Sequence, residues 1–108
     1  MVYSAQLTDG AKEEIAEIVR YLNAVSDGPS AARSFLSEFR QKLELACNVP
    51  GSFAYVRMPE FAMLGYRAMY VKNYVILFFV DNDMVIVAHA FHQRQNYARF
   101  LIDRRREA

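Results

Sequence analysis

The chain has 108 residues and a mass of 12.5 kDa, a size at which one hydrophobic core forms and two separate cores do not. We therefore expect residues 1–108 to fold as a single domain. Hydrophobic residues make up 54% of the chain and charged residues 23%, a composition that excludes an intrinsically disordered protein. Thirteen basic and twelve acidic residues give a net charge of +1, which excludes a uniformly charged surface for nucleic acid or membrane.

The cysteine and histidine content bears on the compartment and on cofactors. The one cysteine, Cys47, cannot form an internal disulfide, as is typical of a protein in the reducing cytoplasm. The chain has no glycine-rich phosphate loop, no CxxC pair and only two histidines, so we expect no cofactor and no metal. No apolar run approaches the ~20 residues of a membrane helix, and no secretory signal precedes the first strand. These features predict a cytoplasmic protein that does not associate with membranes.

The N-terminal half predicts a strand and a helical hairpin. Residues 2–7 alternate as a strand, and Thr8 or Asp9 then supplies a helix N-cap. Turn-forming residues at 26–30 separate two amphipathic helices, and the second must end near residues 48–51 because they contain Pro50. The apolar positions of the first helix are Ala11, Ile15, Ile18, Val19 and Leu22, and those of the second are Ala32, Phe35, Leu36, Phe39, Leu43, Ala46 and Cys47.

The hydrophobic period changes to two in the C-terminal half. Residues 52–64 fit neither period, and we predict a loop there with one short strand at 53–57. Alternating residues then predict three strands joined by tight turns, at 66–71, 74–80 and 84–90. Residues 74–80 are apolar on both faces, which predicts a central strand covered by helices on one side and by protein or a partner on the other. Tyr97, Phe100 and Leu101 predict a short C-terminal helix.

The predicted order is β-α-α-β-β-β-α. This order indicates an α+β fold, in which an N-terminal strand and a helical hairpin pack on a mostly antiparallel sheet. Fifteen aromatic residues and five methionines exceed the needs of so small a core, so we expect part of the apolar surface to bind a partner.

The two halves of the chain differ in charge. Residues 1–48 contain five basic and seven acidic residues, whereas residues 49–108 contain eight basic and five acidic residues. Five arginines and one acid fall between Arg94 and Arg106. This basic edge predicts contact with nucleic acid or with an acidic protein, and Arg67, Lys72 and Arg99 are the basic residues that we expect to contact a target.

Several short segments resemble the RelE/ParE superfamily of toxins from bacterial type II toxin–antitoxin systems, and the resemblance extends over nearly the whole chain. The most specific part runs from Gly65 to Asp81 and continues to an arginine and an aromatic residue after the last strand. The segments are Gln6-Leu7-Thr8, Pro29-Ser30-Ala31-Ala32, Gly65-Tyr66-Arg67, Val71-Lys72-Asn73-Tyr74, Phe78-Phe79-Val80-Asp81 and His92-Gln93-Arg94-Gln95-Asn96-Tyr97.

The resemblance implies a small toxin that a cognate antitoxin binds and neutralises in a hetero-oligomer. It also implies two modes of action. RelE-like members cleave mRNA on the ribosome without a metal, whereas ParE-like members are not nucleases and inhibit DNA gyrase. RelE-like members carry a basic residue or a histidine on the central strand, and the matching residue here is Val75. Valine supplies neither an acid, nor a base, nor positive charge for RNA cleavage, so we favour gyrase inhibition.

The resemblance also implies the candidate site residues. Arg94 matches an arginine that follows the last strand and would bind a phosphate, and Tyr97 matches an aromatic residue near the scissile base. The two histidines, His89 and His92, are the available acid–base residues. These four residues are the catalytic candidates if the chain is a ribonuclease. A degenerate toxin that binds its antitoxin without further activity is the third alternative.

Overall fold

Four strands and three α-helices make up the part of the chain that the structure, a computed structural model, describes, namely residues 3–25 and 28–94. The predicted C-terminal helix lies outside the described residues. In chain order the elements are β1 (Ser4–Leu7), α1 (Asp9–Ala24), α2 (Gly28–Asn48), a 3-10 turn (Pro50–Ser52), α3 (Pro59–Met63), β2 (Arg67–Val71), β3 (Tyr74–Asp81) and β4 (Met84–His92).

The strands form one sheet in the order β1-β4-β3-β2. Strands β2, β3 and β4 form an antiparallel meander, and two-residue turns at Lys72-Asn73 and Asn82-Asp83 connect them. Strand β1 pairs with β4 in parallel, because the helical hairpin carries the chain from one end of the sheet back to the other. The predicted α+β fold with a mostly antiparallel sheet is confirmed.

The helical hairpin covers one face of the sheet. Thr8 is the N-cap of α1, since its Oγ1 accepts a hydrogen bond from the Ala11 N–H at 3.0 Å. Gly28 opens α2 with a φ of 49°, a left-handed conformation that favours glycine, and Pro29 follows at a position that needs no N–H donor. The buried side chains that the helices contribute to this core are Ala11, Ile15, Ile18, Phe35, Phe39, Ala46 and Cys47.

The chain itself covers the other face of the sheet. The prediction of a loop with a strand at 53–57 was wrong in two respects. Residues 59–63 form the short helix α3, and the strand is reduced to a single bridge between Tyr55 and Arg67. A helix of five residues is too short to show a hydrophobic period. This second core consists of Val56, Phe61, Tyr66, Ala68, Val75, Leu77, Ala88 and Phe91.

A β-bulge interrupts β4. Leu77 of β3 pairs with His89 and Phe78 pairs with Val87, so Ala88 is an extra residue without a partner position on β3. A bulge of this kind shifts the alternation of side chains beyond it. As a result, His89 shares the face of Leu77, whereas a regular strand would have placed it on the helix-covered face with Val87. The strand ends at His92, two residues later than predicted.

None of the helices within residues 3–25 and 28–94 combines the length and the hydropathy that spanning a membrane requires.

Candidate functional site

An open cleft of about 800 Å³ lies where the helical hairpin meets the ends of β3 and β4. It is formed by α1 residues near Ile18, by the first turns of α2, by the β2–β3 turn and by the end of β4. The residues that line it and carry polar groups are Glu14, Glu17, Tyr21, Ser30, Ser34, Lys72, Asn73, Tyr74 and His92.

Two of the sequence-predicted residues line this cleft, and a third follows close behind in the chain. Lys72 and His92 line it, and Arg94 follows directly, with its N–H donating to His92 Nδ1 at 3.2 Å. The His92 ring stands edge-on to Tyr74, with ring centroids 5.5 Å apart. The cleft therefore brings together the imidazole of His92 and the ammonium group of Lys72, and Arg94 lies two residues beyond His92. Tyr97 and Arg99 lie outside the described residues.

His89 lies on the opposite face of the sheet from His92. Its pairing partner Leu77 belongs to the second core, and its ring centroid is 6.4 Å from that of Tyr66. Its Nδ1 is 3.6 Å from Glu14 Oε1, an ion pair when the imidazole is protonated. The bulge at Ala88 causes this separation, so the two histidines do not share one face of the sheet.

The edge of β4 beyond β1 is closed by a side chain of the first helix and by that of its N-cap residue. Strand β1 pairs with β4 only as far as Val87, which leaves the next backbone groups without a neighbouring strand. Glu14 Oε1 accepts the Ala90 N–H at 3.0 Å, and Thr8 Oγ1 donates to the Ala88 carbonyl oxygen at 3.1 Å. Neither role was predicted from the sequence, because residues 14 and 90 are brought together only by the fold.

Arg67 is occupied by contacts within the chain. Its Nη1 donates to the Phe53 carbonyl oxygen at 2.6 Å, and its guanidinium lies 4.0 Å from the ring centroid of Tyr55. Arg67 begins strand β2, five residues before Lys72, or about 16–17 Å along an extended strand. Arg67 is thus remote from the cleft, and its described contacts hold residues 53–55 against β2.

Lys72 joins the β2–β3 turn to α2. Its Nζ is 3.5 Å from Glu38 Oε1, and Lys42 Nζ is 3.2 Å from the other carboxylate oxygen of Glu38. Lys42 also donates to the Tyr70 carbonyl oxygen. Burial acts to raise the pKa of Glu38, but the hydrogen bond and charge of Lys42, together with Lys72, outweigh it and hold this pKa below its ordinary value. Lys72 adopts a φ of 57°, a conformation that is uncommon for a lysine.

RelE-like ribonucleases carry a basic residue or a histidine at one position on the central strand. In this chain the matching position holds the uncharged Val75. Val75 is fully buried on the second face, in the core that also contains Phe61 and Phe91. Burial, with a smaller contribution from Tyr21, raises the pKa of the neighbouring Tyr74 above its ordinary value of 10.0.

Comparison with known proteins places the chain in a family. A model of the ParE toxin of the parDE type II toxin–antitoxin system matches residues 5–97. A solved chain of the chromosomal ParDE system from P. aeruginosa superposes with a TM-score of 0.66, at 15% sequence identity, over 84% of this chain and 96% of that one. At this identity the likeness shows a shared fold. The search of curated proteins gave no significant match. Because the family model covers most of its length, the chain belongs to the ParE toxin family of type II toxin–antitoxin systems.

Proposed function

We propose that this toxin acts by binding DNA gyrase and inhibiting it, and that it does not cleave RNA. The main observation in support of the proposal is that Val75 is fully buried within the second core. An uncharged, buried side chain at this point cannot act as an acid, as a base or as a cation toward a phosphodiester. The separation of His89 and His92 onto opposite faces gives further support, since an acid–base pair must reach the same reacting atoms.

We also propose a cognate antitoxin as the partner that neutralises the toxin in a hetero-oligomer. The related P. aeruginosa structure is that of a ParDE toxin–antitoxin system. Apolar side chains that remain exposed within the described residues give a partner surface to cover, and they include Tyr21 at 61%, Met63 at 87% and Tyr70 at 45%. A stable complex of this kind buries about 1,200–2,000 Å² in total.

A RelE-like ribonuclease is the alternative function. The presence of Lys72 and His92 at one cleft favours it, because an imidazole near a cation is a combination that can serve phosphate chemistry. The alternative lacks a charged group on the central strand.

Expression in cells, with and without the product of the adjacent gene, separates these functions. Gyrase inhibition gives filamentous cells, a DNA-damage response and cleaved DNA held by gyrase. Ribonuclease action gives an arrest of translation and cuts at codon positions in mRNA. A degenerate toxin gives neither effect while still binding its antitoxin. Only the first outcome supports the proposal, and either of the others overturns it.

The variant Arg94→Ala tests whether the cleft edge contributes to toxicity. Arg33→Ala is the matched control, since Arg33 is exposed on α2 and does not line the cleft. We expect Arg94→Ala to weaken growth inhibition and Arg33→Ala to leave it unchanged. Equal toxicity of both variants would show that Arg94 is not part of the functional surface.

A further inference from the structure

The β2–β3 turn has a lysine at a position whose backbone conformation favours other residues. Lys72 has a φ of 57°, in the left-handed region that glycine and asparagine adopt far more readily than lysine. The β3–β4 turn has a φ of 55° at Asn82, where asparagine is an ordinary choice. An uncommon residue persists in such a conformation where another interaction offsets the backbone cost. We therefore expect the side chain of Lys72 to make a compensating contact.

That contact is with Glu38 on α2. Lys72 Nζ lies 3.5 Å from Glu38 Oε1, and Lys42 Nζ lies 3.2 Å from Glu38 Oε2. Lys42 also donates to the Tyr70 carbonyl oxygen, near the end of the strand that leads into the turn. Two lysines thus share one carboxylate, and the turn is tied to α2 by two routes that meet at Glu38. Glu38, Lys42 and Lys72 together form a charged clasp.

The clasp lies where two walls of the cleft meet. Lys72 and Asn73 line the cleft on the side of the β2–β3 turn. Ser30 and Ser34 line it on the side of α2. Glu38 follows Ser34 by one helical turn, about 6 Å along the axis of α2. The ion pair between Lys72 and Glu38 therefore bridges the two walls at one end of the cleft.

The turn itself is held to α2 by charge, whereas the strand behind it is held by packing. The ring of Tyr74 lies edge-on to that of Phe35, with centroids 5.4 Å apart, and Tyr74 is 8% exposed. Lys72 and Asn73, by contrast, are exposed. Contacts between exposed charges are weakened by water and salt, while buried packing is not. Loss of the clasp would therefore release the turn from α2 without unfolding the core.

We infer that the clasp sets the width of the cleft, and that this role accounts for a lysine at position 72. With the clasp formed, the turn and the first turns of α2 keep one spacing. With the clasp broken, the turn moves away from α2 and the cleft widens. A cleft that is held at one width needs less ordering when it is filled.

Distances between two spin labels test this inference on the full chain. Ser30→Cys and Asn73→Cys place one label on each wall, and Cys47→Ala leaves these two as the only thiols. Pulsed electron paramagnetic resonance then measures the distribution of widths. We expect a narrow distribution with the natural clasp. For Glu38→Gln and for Lys72→Met we expect a broad distribution with a mean several ångströms longer.

Three further variants separate the clasp from general stability. Lys72→Arg keeps a cation at this position, and Glu44→Gln removes an exposed α2 carboxylate that is not part of the clasp, so both should retain the narrow distribution. Lys72→Gly removes the cation but also relieves the left-handed backbone, so its urea midpoint should stay close to that of the natural protein. The same variant should nevertheless broaden the distribution.

Three results would overturn the inference. A narrow distribution in both Glu38→Gln and Lys72→Met would show that other contacts set the width. Equal broadening in Glu44→Gln would show that the loss of any carboxylate on α2 has this effect. Broadening only in variants with a lowered urea midpoint would attribute it to general destabilisation. Broadening that is confined to the clasp variants, Lys72→Gly included, supports the inference.

Discussion

Arg67 joins the start of β2 to the segment that precedes α3, through a hydrogen bond to the Phe53 carbonyl oxygen and a cation–π contact with Tyr55. We expect Arg67→Ala to lower the free energy of unfolding by about 1–3 kcal/mol, because a charge-assisted hydrogen bond and a stacking contact are lost together. Urea denaturation measures this change. Arg57→Ala is the control, since Arg57 is exposed. A variant that unfolds like the natural protein but loses toxicity would instead make Arg67 a target contact.

Cys47 is 1% exposed within the helix-side core, and burial raises the pKa of its thiol above the ordinary value of 9.0. A raised pKa means that the unfolded state releases the proton first. The stability that this group contributes is complete below the ordinary value and is lost as the pH rises toward the folded value. We expect the free energy of unfolding to fall as the pH rises above the ordinary value of 9.0, and Cys47→Ala to reduce that slope.

Thiol labelling gives an independent check on Cys47. We expect the native protein to resist alkylation at pH 8, and the protein in denaturant to react at the rate of a free thiol, because the thiolate is the reactive form and burial disfavours it. Rapid labelling of the native protein at this pH would contradict the burial of Cys47.

At the scale of elements, the first helix closes the edge of β4. Glu14 accepts the Ala90 N–H, and its replacement by alanine leaves a partly buried backbone donor without that acceptor. We expect Glu14→Ala to lower the free energy of unfolding by about 1–3 kcal/mol. Glu14→Gln should retain most of the natural protein's stability, because an amide oxygen can also accept the Ala90 N–H. Amide hydrogen exchange at Ala90 should accelerate in the alanine variant. The exposed Glu13→Ala is the control, and equal exchange in both variants would contradict the role.

The short helix α3 covers the second face of the sheet largely through Phe61, which is fully buried. We expect Phe61→Ala to cost about 3–5 kcal/mol of stability, a large fraction of the ~5–15 kcal/mol of a domain. Phe61→Leu preserves most of the volume and should cost less than about 1.5 kcal/mol. Met63→Ala, at a position 87% exposed, should stay within about 0.5 kcal/mol of the natural protein. Equal stability of the Phe61 and Met63 alanine variants would show that α3 does not seal this core.

The elements could be predicted wherever their hydrophobic period repeats several times. The apolar stripes of α1 and α2 and the apolar run of β3 were sufficient to predict these three elements. The buried residues of the structure agree with those patterns. The element that covers the second face of the sheet could not be predicted, because α3 has one buried residue and is too short to show a hydrophobic period. The bulge at Ala88 also leaves no local signal, yet it determines the face on which His89 lies.

At the scale of the whole molecule, the layer arrangement followed from the order of the elements, whereas the candidate site did not. The cleft draws residues from α1, α2, the β2–β3 turn and β4, so Glu14, Tyr21 and His92 meet only through the tertiary fold. His92, Lys72 and Arg94 were predicted as site residues from their chemistry and from the family resemblance, and of these His92 and Lys72 line the cleft. Glu14 and Glu17, which also line the cleft, were not predicted, because the sequence does not distinguish isolated glutamates on a helix from solvated ones.

Inhibition of gyrase by binding, without cleavage of RNA, is the mode of action that we propose for this ParE-family toxin. The most direct measurement adds the purified chain to gyrase with relaxed plasmid and, in parallel, to programmed ribosomes with mRNA. We predict that supercoiling is inhibited in proportion to the toxin and restored by the cognate antitoxin, while the mRNA remains intact. Full supercoiling at saturating toxin, together with mRNA cut at codon positions, would contradict the claim.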